Sequence, residues 1–343
     1  MNLSSTTPSS LLHLGASVLP VLGFLATLTF LDTYKLIRFR SIILSVLAGG
    51  GAALISLVMN GWMLELTGLE MATYSRYGGP IIEELCKAAY LVYLIRSSRV
   101  GFMVDAAIHG FAVGAGFACI ENIYYWQSLP AANPLLWLLR GSGTAIMHGG
   151  ATAICGMISR NLADRHASTG LRVYLPGLAT AIAVHSLFNH FFLSPLLSTA
   201  MLLLLLPLIV VAVFQYSEKV TRRWLDLGFD TDRELLEVIR GGRISTTRIG
   251  AYLQSLKNTF PGEIVVDMLC LLRLHLELSI HAKGVLLLRE TGFEPEADPE
   301  IKRKFDELNY LEKSIGKTGM LAIAPFVHTK SRDLWQLHML GRR

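Results

Sequence analysis

The 343-residue chain is 52% hydrophobic and 17% charged, against the ~25% charged residues of an ordinary soluble domain, which excludes a single soluble globular domain. Its formal net charge of +5 does not point to nucleic acid, because the Lys and Arg of the first half sit mainly in short connections between apolar runs. Eight of the 26 acidic residues lie in 1–217 and the other eighteen in 218–343, so the solvent changes near Tyr216.

A helix crosses the ~30 Å hydrocarbon core with about 20 apolar residues, and seven stretches qualify: 11–31, 42–64, 80–96, 102–126, 135–158, 173–193 and 196–216. The first lacks a basic segment before it and a small-residue cleavage site, and reads as a retained span. Pro80, Pro134 and Pro176 fall at or near a span's first turn, where a missing N–H is tolerated, and Pro195 separates the last two spans. Pro20 and Pro207 are expected to kink their helices. The predicted fold is all-α, a polytopic transmembrane bundle followed by a soluble helical module.

Lys35, Arg38 and Arg40 follow the first span, Arg96 and Arg99 the third, and Arg160, Arg165 and Arg172 the fifth. That alternation predicts the N-terminus outside and the C-terminus in the cytoplasm. Residues 1–217 then form a membrane domain and 218–343 a cytoplasmic helical domain open to a cytoplasmic partner. In the latter, Thr231 and Glu234 have capping-box spacing, a second helix fits 245–258, and a buried helix fits Ile264–Leu288, whose charges argue against an eighth span. Residues 298–315 place Ile301, Phe305, Leu308 and Leu311 on one stripe. The four cysteines show no CxxC pairing and suggest neither a disulfide nor a thiolate metal site.

Half of the acids in 1–217 lie within the spans, where an ionisable side chain costs at least ~2.5–3.5 kcal/mol and needs a partner or a task. The third span carries Glu83 and Glu84 with Lys87 one turn on. One lysine cannot fully neutralise two carboxylates, which suits the pair to exchanging protons with water. In the fourth span Gly110, Gly114 and Gly116 permit close helix approach before Glu121 and Asn122. Asp105 and His109, one turn apart, read as a solvated or helix-end pair and stay outside the site. The fifth span surrounds His148 with small residues. The sixth places His185 and Asn189 on one helical face, where they either bind a metal or an oxyanion or clamp two helices. Together these groups suit the addition of water to a carbonyl, with Glu83 or Glu84 as base and His148, His185 and Asn189 facing the developing charge. Intramembrane Glu, His and Lys also make proton relays, so an ion- or proton-coupled transporter is the competing reading, although no inverted repeat is visible.

Glu83-Glu84-x-x-Lys87, Gly114-x-Gly116-Phe117-x-x-x-Glu121-Asn122, His148 and His185-x-x-x-Asn189 stand in the order seen in PrsW-type intramembrane proteases. Over residues 76–193 the chain resembles that family, within the wider group containing the CAAX prenyl proteases. The resemblance implies peptide-bond hydrolysis by the membrane-embedded residues Glu83, Glu84, Glu121, His148, His185 and Asn189. Glu121 stands where the CAAX enzymes carry a histidine, which argues against a prenylated substrate. The implied substrate is a single-span membrane protein such as an anti-sigma factor. Members are classed with metallopeptidases while their relatives can be explained without metal. Glu121, His148 and His185 would make an acceptable zinc triad.

Overall fold

The computed structural model describes residues 15, 19, 22–30, 37–128, 134–166, 168–190, 192, 194–293, 298–327 and 331–341. Among these the chain is helical without strands. After a helical stretch at 22–30 come α1 (Phe39–Thr67), α2 (Met71–Arg96), α3 (Met103–Ser128), α4 (Pro134–Arg165), α5 (Leu175–Asn189) and α6 (Pro195–Arg240). The later helices are α7 (Arg248–Leu256), α8 (Gly262–Glu290), α9 (Pro299–Ile323) and α10 (Ser331–Leu340). The chain divides into two compact units, Met1–Ser217 and Glu218–Arg343.

In the first unit α3 is the central element. Its Gly114 lies against α4, where a Cβ would come within 2.3 Å of the His148 carbonyl oxygen, and its Gly116 lies against α1, where a Cβ would meet the Val46 oxygen at 1.9 Å. Glycine at both positions lets three helix backbones touch. The first unit exposes Leu44, Leu47, Leu54, Ile55 and Val58 on α1 and Ile81, Leu85 and Tyr93 on α2, while Glu84 and Lys87 are buried. A water-facing surface would show the reverse.

Three helices are long and apolar enough to cross a membrane among the described residues: Phe39–Thr67, Met103–Tyr125 and Leu171–Asn189. They overlap three of the seven expected spans. The stretch 80–96 falls within α2, where Glu83, Glu84 and Lys87 lower the hydropathy, 135–158 lies within α4 and 196–216 within α6. Of 11–31, residues 11–14, 16–18, 20, 21 and 31, with Pro20 among them, lie outside the described residues.

Several local expectations change. Pro80 is interior to α2, which starts at Met71. Asp105 and His109 are both buried and do not pair with each other: Asp105 Oδ2 accepts from the backbone N–H groups of Gly101 and Phe102 at 2.9 and 3.2 Å, and His109 Nδ1 bonds Ser45 Oγ at 2.7 Å. Thr231 starts no helix, because α6 runs through it unbroken and its hydroxyl donates to the Leu227 carbonyl at 2.8 Å. In the second unit α8 and α9 pack through Met268, Leu271, Leu274, Phe305, Leu308 and Leu311. A charge-paired interior lies beside that core, where Lys283 and Ser279 both donate to Asp232 Oδ2, at 2.6 and 2.5 Å.

Candidate functional site

Four helices bring the ionisable groups of the first unit to one place. On α2, Glu84 and Lys87 point inward, 1% and 0% exposed, and Glu83 is partly open at the margin, its side chain 18% exposed. Lys87 stands one turn beyond both glutamates, and its Nζ donates to Glu84 Oε1 at 2.5 Å. No lysine or arginine among the described residues pairs with Glu83. The same ammonium donates to His148 Nδ1 at 2.9 Å and lies 4.5 Å from the centre of the Phe117 ring.

An ammonium has hydrogens and no lone pair, so the contact makes His148 Nδ1 an acceptor and leaves the ring proton on Nε2. That nitrogen donates to Glu121 Oε2 at 2.7 Å. The close approach of α3 at Gly114 is what lets Glu121, two turns along, reach α4. The imidazole of His148 is thereby held from both sides.

His185 is fixed from one side. Its Nδ1–H donates to Glu84 Oε1 at 2.8 Å, which orients the ring so that Nε2 faces Glu83 Oε2 at 3.8 Å. Both partners at that 3.8 Å gap are acceptors when His185 is neutral. A water between them can donate one hydrogen to each. The rings of His148 and His185 meet edge to face with centroids 4.8 Å apart, so both line the same space.

Asn189 stands apart. Its amide donates to the Ser75 carbonyl at 2.8 Å, and Ser186 Oγ donates to the Arg76 carbonyl at 2.6 Å. The second contact has a local cause: Pro80 has no N–H, so the carbonyl four residues earlier loses its intrahelical donor, and α5 supplies a hydroxyl instead. The interhelical clamp weighed for His185 and Asn189 is therefore made by Asn189 with Ser186, while His185 belongs to the polar cluster.

Two further residues join the cluster without having been legible in sequence. Asn60 of α1 donates from Nδ2 to Glu83 Oε1 at 3.1 Å, and the hydroxyl of Tyr74 donates to Asn60 Oδ1 at 3.0 Å. Asn122, next to Glu121, is 1% exposed and its amide has no partner among the described residues.

For a metal, Glu83, His148 and His185 each offer one ligand atom within 4.8 Å of the others. This set differs from the one expected, with Glu83 in place of Glu121. One carboxylate and two imidazoles are the donor set of His₂Glu catalytic zinc sites. Glu84 behind His185 supplies the carboxylate–histidine contact that orients such ligands. The residues fit a divalent ion on the condition that one entering at His148 Nε2 displaces the proton that this nitrogen shares with Glu121.

Residues 37–215, just over half of the chain, match the model of a family described as PrsW family intramembrane metalloprotease. No curated protein and no solved structure was found to match.

Proposed function

Because the chain belongs to the PrsW family of intramembrane metalloproteases, we propose that it hydrolyses a peptide bond of a membrane-protein substrate at the cluster of Glu83, Glu84, Glu121, His148 and His185, with Glu83 as the base. The observation that carries this reading is the inequality of the two glutamates. Glu84 Oε1 is taken by Lys87 and by His185 Nδ1, whereas Glu83 keeps Oε2 for the space beside His185 Nε2. An ion-paired carboxylate is a poor proton acceptor and a good anchor. Glu83 therefore takes the proton of the attacking water as its oxygen bonds to the carbonyl carbon, and returns that proton to the leaving nitrogen as the C–N bond breaks. His185 holds the second hydrogen of the water. His148, its Nδ1 and Nε2–H taken by Lys87 and Glu121, packs edge to face against His185 and keeps that ring in place. In an ion-loaded site Glu83, His148 and His185 would instead be the ligands of a divalent ion such as zinc, which would supply Lewis acidity to the carbonyl and the water. Asn189 serves the fold through Ser75.

The inverted surface of the first unit, charges inside and leucines outside, supports the bilayer as its solvent. We read α1, α3 and α5 as spans together with α2, α4, the first half of α6 and the segment 11–31, with the N-terminus outside the cytoplasmic membrane and residues 218–343 inside. By the same family resemblance the substrate is a single-span protein such as an anti-sigma factor. Residues 218–343, which lie outside the family match, offer a surface for a cytoplasmic partner. Purified protein in liposomes with a single-span reporter tests the assignment: Glu83→Gln is expected to abolish cleavage, and Glu84→Gln to reduce it while loosening His185. Full cleavage by both variants would overturn it.

A further inference from the structure

The contact at Glu83 Oε1 is out of proportion to its place in the chain. Glu83 sits on α2, yet the group that bonds it comes from α1, 23 residues earlier. Asn60 is a single carboxamide in the otherwise apolar sequence Ile55-Ser-Leu-Val-Met-Asn60-Gly-Trp-Met. Burying an amide in such a helix is unfavourable unless its hydrogen bonds are made. Here both sides are used: Nδ2 gives to Glu83 and Oδ1 receives from Tyr74. An amide that accepts a hydrogen bond at oxygen polarises its own N–H toward the next acceptor.

Tyr74 has a place made for it. It is 5% exposed, and its ring lies across Gly78 one turn later, where any Cβ would come within 2.6 Å of Cε2. Two donors thus act in series on a single carboxylate oxygen. With Oε1 tied to α1, rotation about the Glu83 carboxylate is blocked, and Oε2 is left facing His185 Nε2.

We propose that Asn60 and Tyr74 are positioning residues that fix the orientation of the Glu83 carboxylate for proton transfer and for metal ligation. The assignment rests on Glu83 being the base. Neither residue touches the reacting atoms. They act through Glu83, as the partners behind metal ligands commonly do.

Two readouts on the full-length protein test this, zinc affinity by competition with a chromogenic chelator and steady-state cleavage of the single-span reporter. Asn60→Ala is expected to weaken zinc binding about 10- to 100-fold and to lower kcat with KM unchanged, while Tyr74→Phe gives a smaller loss of the same kind. Asn60→Gln, which keeps the amide on a longer stem, is expected to recover part of the zinc affinity. The decisive comparison is the Glu83→Ala background, in which Asn60→Ala should cause no further loss of zinc affinity. A structural role for Asn60 would act equally in both backgrounds. Wild-type zinc affinity and kcat in both Asn60→Ala and Tyr74→Phe would overturn the proposal while leaving Glu83 untouched, whereas a Glu83→Ala variant that binds zinc and cleaves like wild type would overturn the reading of the base itself.

Discussion

Replacing Lys87 by methionine removes the ammonium and keeps the length of the stem. In the native site that ammonium is fully buried and holds Glu84, His148 and the face of Phe117 at once. Removing one member of a buried ion pair leaves an uncompensated charge and costs about 3–5 kcal/mol. At about 2–4 °C per kcal/mol for a unit of this size, the unfolding midpoint falls by roughly 6–20 °C. Cys155 is a convenient reporter, since it is a free thiol, 4% exposed, in the same core. With the partly exposed Cys86, Cys119 and Cys270 replaced by serine, a thiol-reactive dye in detergent reads the transition. Adding Glu84→Gln should recover most of the midpoint, because a neutral pair no longer leaves a bare charge. It should not recover cleavage, since the carboxylate that orients His185 is then an amide. A Lys87→Met protein that melts within about 2 °C of wild type would refute the buried pair and with it the inequality of the two glutamates.

Ser186→Ala is expected to destabilise the first unit by about 0.5–1.5 kcal/mol, because the Arg76 carbonyl loses its hydrogen bond at an exposed position. Pro80→Ala in the same protein should reverse part of that loss by restoring the N–H, and a midpoint lowered further by the second change would refute the link between the two positions. In the second unit, burial pushes the Glu277 carboxyl upward, but the hydrogen bonds from Arg240 and Lys304 outweigh it and hold it below the ordinary glutamate range. A depressed carboxylate contributes stability above its unfolded pKa and loses it as pH falls through the folded one. The acid limb of the unfolding curve should therefore become shallower in Glu277→Gln, and an unchanged limb would show that these bonds contribute nothing.

The sequence made the helical class legible because intramembrane charges and long apolar runs are compositional signals, and it made the cluster legible because Glu, His and Lys are conspicuous in such runs. What it could not convey was which atom faces which. Asn189 shares a helical face with His185, as its spacing says, but its target is the Ser75 carbonyl in the early turns of α2. The start of that helix at Met71 is hidden in a polar stretch that reads as a loop. Thr231 carries a capping sequence that a continuous helix overrides. Asn60 gives no signal at all, since a lone asparagine has no period and its partner lies on another helix. Lys87 could be counted against two glutamates, but only the fold decides that Glu84 takes it.

Pro80 also bears on how the protein is made. The carbonyl it strips of a donor is served by a serine that emerges from the ribosome 110 residues later. Until α5 arrives, the Arg76 carbonyl of α2 lacks its donor from the protein. The span that mends it also brings His185, so the repair of the backbone and the completion of the polar cluster belong to one event in assembly. A nascent chain that has made α2 but not α5 has its glutamates in place with no histidine from α5 beside them.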